Sequence, residues 1–313
     1  MSLKVSVIIP FYNEAENIAL LVSSLNNFFL TNTDFQSEVI FVNDGSSDNS
    51  LELLKKETHN NYQYKIISLS KNFGSHAAIR AGLTCSSGNY IVFMYADLQD
   101  PLELIDRLFL ECNNGNEIVW ANRRNTENTL SERTFSKMYS SLMRKYVTKS
   151  YPEKGFDIVM FSKKVQYFLN QNIEANSSVF LQILTLGFKQ TSIEYDKQKR
   201  KVGKSKWTLN KKIKLFVDSF VAFSYAPIRF VTIMGMFFFI VGIIWTGYIV
   251  TRKIIYEDID KGWPTLISVL LIGFGLTNIS LGIIAEYLWR TLDSSRKRPV
   301  FIIDEIIDYS KNE

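Results

Sequence analysis

Cysteine is scarce in this chain of 313 residues, which carries only Cys85 and Cys112. Neither cysteine belongs to a motif, so the sequence excludes a disulfide framework and predicts two free thiols in a reducing compartment. Internal repeats and low-complexity linkers are also missing from the sequence. A repeat array and a flexible tether are therefore excluded as descriptions of this chain.

The excess of positive charge is small, at +5, and the basic residues concentrate in residues 197–214. A nucleic-acid-binding protein would carry a basic stripe over its whole folded domain, so we predict no nucleic-acid partner. The local basic cluster indicates instead an anionic membrane surface or a phosphate-bearing substrate. The apolar run at residues 5–10 is short and leads directly into polar residues, so we expect no signal peptide there.

Charge is absent from two long apolar runs, residues 230–250 and 263–285, which are 21 and 23 residues long. At a rise of about 1.5 Å per residue, each run is long enough to cross a hydrocarbon layer of roughly 30 Å. A buried core helix is the alternative, but such helices seldom run so far without a polar face. The segment between the runs is too short to hold a domain. The sequence therefore predicts a transmembrane hairpin within residues 229–285.

The basic residues around the predicted hairpin are distributed unevenly. More of them flank its two outer ends than its inner loop, which places the outer ends in the cytoplasm. A head of residues 1–207 and a tail of residues 286–313 are thus predicted to be cytoplasmic. The residues that decide this are Lys211, Lys212, Lys214 and Arg229 before the hairpin, Arg290, Arg296, Lys297 and Arg298 after it, and Arg252, Lys253 and Lys261 within its loop.

Residues 208–228 connect the predicted head to the hairpin, and charged and apolar residues interleave along them. This pattern predicts an amphipathic helix that lies at the membrane interface. A surface that packs against a partner helix is the alternative.

The head alternates between β-branched apolar runs and stretches with helical apolar spacing. This alternation predicts an α/β fold with a mainly parallel sheet, whose ligand binds at the carboxyl ends of the strands. The predicted strands are residues 4–9, 38–42, 64–68 and 90–94, and the predicted helices are residues 15–29, 49–57 and 74–86.

Two polar motifs follow predicted strands. After the second strand, Asp44 can accept hydrogen bonds from a base or a ribose, and Gly45 allows the chain to turn close to a ligand. After the fourth strand, Asp97 and Gln99 offer hard oxygen ligands for Mg²⁺ or Mn²⁺ on a diphosphate. Each motif has a structural alternative, an Asx-turn that caps the next helix or a simple turn.

Taken together, four segments resemble the family 2 inverting glycosyltransferases with a Rossmann-like GT-A fold. They are residues 7–14 (VIIPFYNE), 42–48 (VNDGSSD), 72–74 (NFG) and 96–101 (ADLQDP). Residues 200–207 (RKVGKSKW) and 285–290 (AEYLWR) are similar to the polyprenyl-phosphate, dolichol-phosphate mannose synthase-like branch. The resemblance covers nearly the whole chain.

The resemblance implies roles for individual residues. Tyr95 departs from the family pattern, because it stands where the leading Asp of the metal motif is expected. Asp157 and Asp97 match catalytic positions, and Mg²⁺ or Mn²⁺ would be held by Asp97 and Gln99. The nucleotide-binding positions are Pro10, Tyr12, Glu14, Asn43, Asp44 and Asp97, and the acceptor-phosphate positions are Arg123, Arg133, Ser136, Arg200 and Lys206.

The implied reaction is the transfer of one sugar, with inversion, from a nucleotide-sugar to undecaprenyl or another polyprenyl phosphate. We expect a UDP-sugar donor and a multi-pass protein of the bacterial inner membrane whose catalytic domain faces the cytoplasm. A polysaccharide-elongating glycosyltransferase is an alternative, although neither its Gln-x-x-Arg-Trp sequence nor its additional spans occur here. A degenerate, non-catalytic nucleotide-binding subunit is another, because of Tyr95. Small residues such as Gly273, Gly275 and Gly282 would allow the spans to pack against another copy.

Overall fold

The computed structural model describes residues 3–31, 34–124, 130–149, 151–152, 156–174, 177–198, 224, 226–256, 262–296 and 298–309. Only the backbone is described at 130–137, 156–157, 239, 246, 249–250, 252–253, 256, 263–265, 267–268, 271 and 294. The chain forms two compact units. One comprises Met1–Ser219 together with Pro299–Glu313, and we call it the head; the other is Phe220–Arg298, which we call the helix pair. The helix pair is therefore an insertion in the head and not a C-terminal appendage.

Strands and helices alternate through the first half of the head, as the sequence predicts. In chain order the elements of the head are β1 Lys4–Phe11, α1 Ala15–Thr31, β2 Gln36–Asn43, α2 Ser50–Lys56, β3 Gln63–Leu69, α3 Ser75–Cys85, β4 Tyr90–Phe93, α4 Leu104–Asn113, β5 Ile118–Arg123, α5 Leu130–Tyr146, β6 Phe156–Ser162, α6 Lys163–Gln171, α7 Val179–Thr185 and β7 Gln190–Tyr195, with a last strand, β8 Ile303–Asp308, after the helix pair.

All eight described strands belong to one sheet, with the order β7-β5-β6-β4-β1-β2-β3-β8. β4, β1, β2 and β3 pair in parallel, and β5 and β7 pair in parallel with each other. β6 runs antiparallel to both β4 and β5, and β8 runs antiparallel to β3. Six of the strands thus point in one direction, which confirms the predicted mainly parallel sheet.

The centre of the sheet is apolar on both faces because helices cover both faces. Val7, Ile8 and Ile9 of β1 are fully buried, as is Phe41 of β2, which is typical of parallel strands in α/β proteins. At Gly82 in α3, an added Cβ atom would lie 2.4 Å from Cγ2 of Ile8. The close approach of α3 to β1 therefore depends on a glycine.

The C-terminal residues differ from the prediction, which treated 286–313 as a separate tail. β8 forms an edge strand of the head, with Asp308 opposite Lys65, and the ring of Tyr309 stacks on Tyr64 at a centroid distance of 4.4 Å. Glu305 and Lys55 form an ion pair of 3.1 Å. The short run of isoleucines at 302–307 was too short to be distinguished from a tail without knowledge of its partner strand.

The helix pair consists of α8 Ala226–Tyr256 and α9 Trp263–Ser295. Each helix contains a stretch long and apolar enough to cross a membrane, Ala226–Trp245 and Ile272–Asp293, with mean hydropathies of 2.2 and 1.2. Large apolar side chains on both helices are exposed, such as Phe230 at 61 % and Phe274 at 66 %. This exposure disagrees with the alternative of buried core helices.

Both helices extend beyond the predicted spans of residues 230–250 and 263–285. α9 continues past the first charge, Glu286, and Arg290, one turn later, donates to Oε1 of Glu286 at 2.8 Å. The hydroxyl of Tyr287 donates to the carbonyl oxygen of Ser224 at 3.0 Å, which ties α9 to the residues that precede α8. The predicted amphipathic segment, residues 208–228, lies mostly outside the described residues, so it stays a prediction.

Candidate active site

The predicted site residues collect at one edge of the sheet. β1, β2, β4 and β5 all point the same way, so the residues that follow them lie along a single carboxyl edge. Because β6 runs in the opposite direction, its first residues also lie there, with Phe156 opposite Asn122. The backbone of Asp157 is thereby placed next to the end of β5.

The loops after β1 and β2 are joined by hydrogen bonds. Oδ1 of Asn13 accepts the backbone N–H of Ser47 at 2.8 Å, and the N–H of Asn13 donates to Oγ of Ser46 at 3.0 Å. The positive φ of Asn13, 52°, turns the chain so that these contacts form. Oδ1 of Asn43 accepts the N–H of Ser46 at 2.9 Å. The Asx-turn considered as an alternative role for Asp44 is made by Asp48, whose Oδ1 accepts the N–H of Ser50 at 3.0 Å.

Glu14 also takes part in this pair of loops. Its backbone N–H donates to Oγ of Ser50 at 2.8 Å, and its Oε2 accepts a hydrogen bond from Nδ2 of Asn17 at 2.6 Å. Glu14 thus orders the first turn of α1. Tyr12 is half-buried at the end of β1, and Pro10 lies opposite Val42 of β2.

Asp44 lies deeper, with only 4 % of its surface exposed. Its carboxylate accepts the N–H of Phe73 at 2.8 Å and the N–H of Gly74 at 2.9 Å. An added Cβ atom on Gly45, whose φ is +64°, would lie 2.4 Å from the backbone carbon of Lys71. Asp44 and Gly45 therefore hold together the loop after β2 and the loop that leads into α3.

The charge of Asp44 is poorly solvated. Burial raises the pKa of Asp44 to about 6, although the hydrogen bonds from Phe73 and Gly74 lower it. Near pH 7 the carboxylate is mostly ionised in a buried place, so a ligand that brings a hydrogen-bond donor to it would be favoured.

The turn after β4 holds the second predicted motif. Oδ1 of Asp97 accepts the N–H of Gln99 at 3.3 Å, and Leu98 has a positive φ of 51°. The carbonyl oxygen of Gln99 accepts the N–H of Gln198 at 2.9 Å, which fixes this turn to the residues that follow β7.

Asp100 is buried in the same turn, at 3 % exposure. Its Oδ1 accepts the hydroxyl of Tyr195 at 2.6 Å and lies 3.5 Å from Nζ of Lys197. Its Oδ2 makes no hydrogen bond within the part of the chain that the structure describes. Asp100 is thus held by Tyr195 and Lys197.

Tyr95 occupies the position of the leading Asp in the family pattern. Burial raises the pKa of Tyr95, and the carboxylates of Asp100 and Asp97 raise it further, while Arg123 opposes them. The phenol therefore stays neutral. Tyr95 cannot replace the missing carboxylate as an anionic ligand.

Two cations share this part of the edge, Arg123 at the end of β5 and Lys197 after β7. Burial lowers the pKa of Lys197; the carboxylates of Asp100 and Asp97 act against burial, and Arg123 acts with it. The sequence did not single out Lys197 or Tyr195, whereas Asp100 belongs to the segment 96–101 that resembles the family motif. The available signal was that Lys197 begins the basic cluster and lies two residues after the short alternating run of β7.

The oxygens of Asp97 and Gln99 suit Mg²⁺ or Mn²⁺, but they are few. Among the described residues, no three His, Cys, Asp or Glu side chains form a metal-binding group. A magnesium ion is often bound by one or two carboxylates and completed by substrate phosphates. The residues present therefore fit a divalent cation only if a phosphate ligand completes its coordination.

The remaining predicted residues are placed only in part. Arg133 and Ser136 lie on α5, and Asp157 lies on β6, with only their backbones described. Arg200 and Lys206 lie outside the described residues. Of the predicted acceptor-phosphate residues, Arg123 is the one whose side chain the structure places, beside Tyr95. The roles of all these residues stay predictions.

The mainly parallel sheet, its polar carboxyl edge and the two apolar helices fit the class of α/β glycosyltransferases. Residues 6–174 match the profile of "Glycosyl transferase family 2", and residues 226–290 match that of the "GtrB C-terminal hairpin". The chain belongs to glycosyl transferase family 2. The family match and the mainly parallel sheet confirm the predicted GT-A fold.

Relatives match along almost the whole chain. "Uncharacterized glycosyltransferase YkcC" of Bacillus subtilis (strain 168) is 32 % identical over 301 residues, which are 96 % of this chain and 93 % of the relative. "Undecaprenyl-phosphate 4-deoxy-4-formamido-L-arabinose transferase" of Proteus mirabilis (strain HI4320) is 30 % identical over 315 residues, 98 % of this chain and 95 % of the relative.

Among solved structures, glucosyl-3-phosphoglycerate synthase from Mycobacterium tuberculosis, in complex with Mn²⁺, UDP and phosphoglyceric acid, aligns with a TM-score of 0.49 and 16 % identity. The alignment covers 69 % of this chain and 75 % of that chain.

Proposed function

We propose that this protein transfers one sugar, with inversion, from a nucleotide-sugar to a polyprenyl phosphate at the cytoplasmic face of the bacterial inner membrane. The observation that carries the proposal is the joint occurrence of two features. Asp44 and Asp97 lie on one carboxyl edge of a family 2 head, and the same chain carries a hairpin of the GtrB type. The Proteus mirabilis relative, named for an undecaprenyl-phosphate acceptor, supports this choice of acceptor.

The donor would bind across the ends of β1, β2 and β4. Asp44 would accept a hydrogen bond from the base or the ribose, and Pro10, Tyr12, Glu14 and Asn43 would shape the adjoining wall. We expect the nucleotide to be UDP. The joined loops after β1 and β2 are ordered by their own hydrogen bonds, so this wall exists before the donor arrives.

The diphosphate would lie over the turn after β4. Asp97 and Gln99 would hold Mg²⁺ or Mn²⁺ together with phosphate oxygens of the donor. When bound, such an ion neutralises negative charge that develops on the departing diphosphate.

The acceptor supplies its own nucleophile. A phosphate monoester has a second pKa of about 6, so one of its oxygens is largely ionised near pH 7 and needs little help from a base. This oxygen attacks the anomeric carbon as the bond to the diphosphate oxygen breaks, and the nucleoside diphosphate leaves. Asp157 would orient the acceptor, while Arg123, Arg133, Ser136, Arg200 and Lys206 would hold its phosphate in line.

The helix pair would bring the head to its lipid substrate. α8 and α9 would cross the bilayer, with both of their outer ends on the cytoplasmic side, and residues 208–228 would lie at the interface. At Gly273 and Gly275 an added Cβ atom would meet nothing within 4 Å. This open surface is compatible with packing against another copy of the chain.

The test is a lipid-product assay with the full-length protein in nanodiscs. Undecaprenyl phosphate and a panel of labelled UDP- and GDP-sugars are supplied, and the organic extract is examined for a monoglycosyl lipid. Asp97→Ala serves as the inactive control. Labelled monoglycosyl lipid with one donor supports the proposal, labelled polymer supports the elongating alternative, and nucleotide binding without turnover for any donor supports a non-catalytic subunit.

A further inference from the structure

Six residues surround the turn after β4, and we call them the Tyr95 cluster: Tyr95, Asp97, Asp100, Arg123, Tyr195 and Lys197. They come from the ends of three strands that are far apart in sequence, β4, β5 and β7. Two of the six are carboxylates, two are cations and two are phenols. Their formal charges cancel, whereas the family pattern, with Asp at position 95, would leave one net negative charge.

Because the Tyr95 cluster has no net charge, it should attract a divalent cation less strongly than a site with net negative charge. A divalent cation is attracted to a site by the net negative charge of its ligands. In the Tyr95 cluster that attraction is reduced twice, since one carboxylate is missing and Lys197 lies 3.5 Å from Asp100. The chain itself thus provides a positive charge close to Asp97.

Lys197 is placed to contact a ligand while it remains beside Asp100. Its side chain is 17 % exposed, so it is not fully enclosed beside Asp100. Nζ of Lys197 lies 3.5 Å from Oδ1 of Asp100, and an ammonium group can donate to more than one oxygen at the same time. The backbone beside it is fixed by the hydrogen bond from Gln198 to Gln99, so Lys197 is held against the turn that contains Asp97.

We propose that Lys197 is a donor-binding residue, whose ammonium group contacts the diphosphate of the nucleotide and supplies part of the positive charge that a metal ion would otherwise supply alone. This inference rests on the proposed use of a nucleotide-sugar donor. It follows that the protein binds a nucleoside diphosphate even when divalent cations are removed.

The test measures UDP binding to the full-length protein in detergent with EDTA present, by isothermal titration calorimetry. Lys197→Met should weaken UDP binding by about tenfold or more, since a hydrogen bond to a charged group is worth that much. Lys197→Arg should retain most of the affinity. Lys189→Met is the matched control, because Lys189 is exposed at the opposite, amino end of β7. The affinity of this variant for UDP should equal that of the wild type.

Uridine separates the diphosphate from the rest of the nucleotide. Its binding, measured by competition, should be the same in the wild type and in Lys197→Met. Equal weakening of uridine and UDP, or unchanged UDP binding in Lys197→Met, would overturn the proposal. If Lys197→Met does not fold because Asp100 loses its cation, the double variant Asp100→Asn/Lys197→Met keeps an oxygen acceptor for Tyr195 and should show the same selective loss for UDP.

A last arm distinguishes the two possible sources of phosphate. With the donor saturating, the KM for a short-chain prenyl phosphate should be the same in Lys197→Met as in the wild type. A raised KM for this acceptor, together with normal UDP binding, would show that Lys197 contacts the acceptor and would overturn the inference. Failure of the proposed function gives a different result, since no lipid product would then form with any donor whatever the UDP affinity.

Discussion

Asp44 shows how one side chain can serve both the fold and the ligand. Its two oxygens already accept hydrogen bonds from Phe73 and Gly74, so it orders the loop before α3 without any ligand. The carboxylate nevertheless stays charged in a buried place, which costs free energy that a ligand donor can offset. The structural and the functional roles of this residue are therefore compatible.

The ionisation of Asp44 should control nucleoside binding. With a pKa of about 6, the carboxylate takes up a proton as the pH falls below 6 and loses acceptor capacity. We expect uridine affinity, followed by competition from pH 7.5 to pH 5, to decrease with a midpoint near 6. Uridine is chosen because it has no phosphate that titrates in this range. The pH profile of Asp44→Asn should lack this step, and a step of equal size in that variant would contradict the assignment.

The same shift makes a prediction for stability, with the opposite dependence on pH. The pKa of Asp44 is raised from 3.8 in the unfolded chain to about 6 in the folded protein, so the folded state binds the proton more tightly. The contribution of Asp44 to the free energy of unfolding should thus fall as the pH rises from 4 to 6 and stay constant above. Thermal unfolding of the wild type and of Asp44→Asn across this range measures it, and a difference between them that rises with pH would contradict it.

We expect the neutral side chain of Tyr95 to weaken the binding of metal ions at the site. Tyr95→Asp would add a carboxylate beside Asp97 and Asp100, so this variant should bind Mn²⁺ in the absence of nucleotide. The wild type should bind Mn²⁺ measurably only when UDP is present. Electron paramagnetic resonance of free Mn²⁺ during a titration gives both affinities. Tyr95→Phe is the control and should behave like the wild type, and tight Mn²⁺ binding by the wild type alone would show that the neutral cluster does not weaken the metal site.

At the scale of elements, the sequence was sufficient to predict the positions of β1 to β4, because each is a compact β-branched run followed by a loop and a helix. The direction of β6 could not be read from the sequence, since its antiparallel course is set by pairing with β4 and β5. Asp44, Asp97 and Gln99 stood out because they directly follow strands. Lys197 and Tyr195 did not, since their link to Asp100 joins residues nearly one hundred positions apart.

β8 protects an edge that would otherwise be exposed. It pairs with β3 from Leu69 to Lys65 and places Ile307 and Tyr309 against the core of the head. A chain that ends at residue 298 should lose this pairing, and the melting temperature of the head should fall by roughly 5–10 °C, since each kcal/mol lost corresponds to about 2–4 °C in a domain of this size. A thermal shift assay measures the change. A chain that ends at Tyr309 is the matched control, and equal melting temperatures for the two would show that β8 adds little.

For the whole molecule, the head consists of two segments of the chain, one before and one after the helix pair. A water-soluble head must therefore contain both segments. Ending the chain at Trp207 would remove β8, whereas joining residues 1–219 to residues 299–313 through a flexible Gly/Ser linker would keep it. The joined chain should fold, as circular dichroism would show, and should bind UDP as the full-length protein does. UDP binding by the shorter chain with equal affinity and stability would contradict the importance of β8.

The joined head also separates chemistry from delivery of the lipid. Transfer to undecaprenyl phosphate in vesicles should fall sharply, because the head is no longer held at the bilayer. A water-soluble, short-chain prenyl phosphate should restore part of the rate. The proposal for the helix pair would be wrong if the folded, joined head used the long-chain lipid as fast as the full-length protein.

The position of β8 at the far end of the chain also fixes an order of events during synthesis. The ribosome releases β1 to β7 first, then both apolar helices, and only afterwards the strand that completes the sheet. β3 therefore remains an open edge of the head while α8 and α9 are being synthesised. Any nascent chain that stalls in the helix pair carries that open edge, which is a template for pairing with other chains.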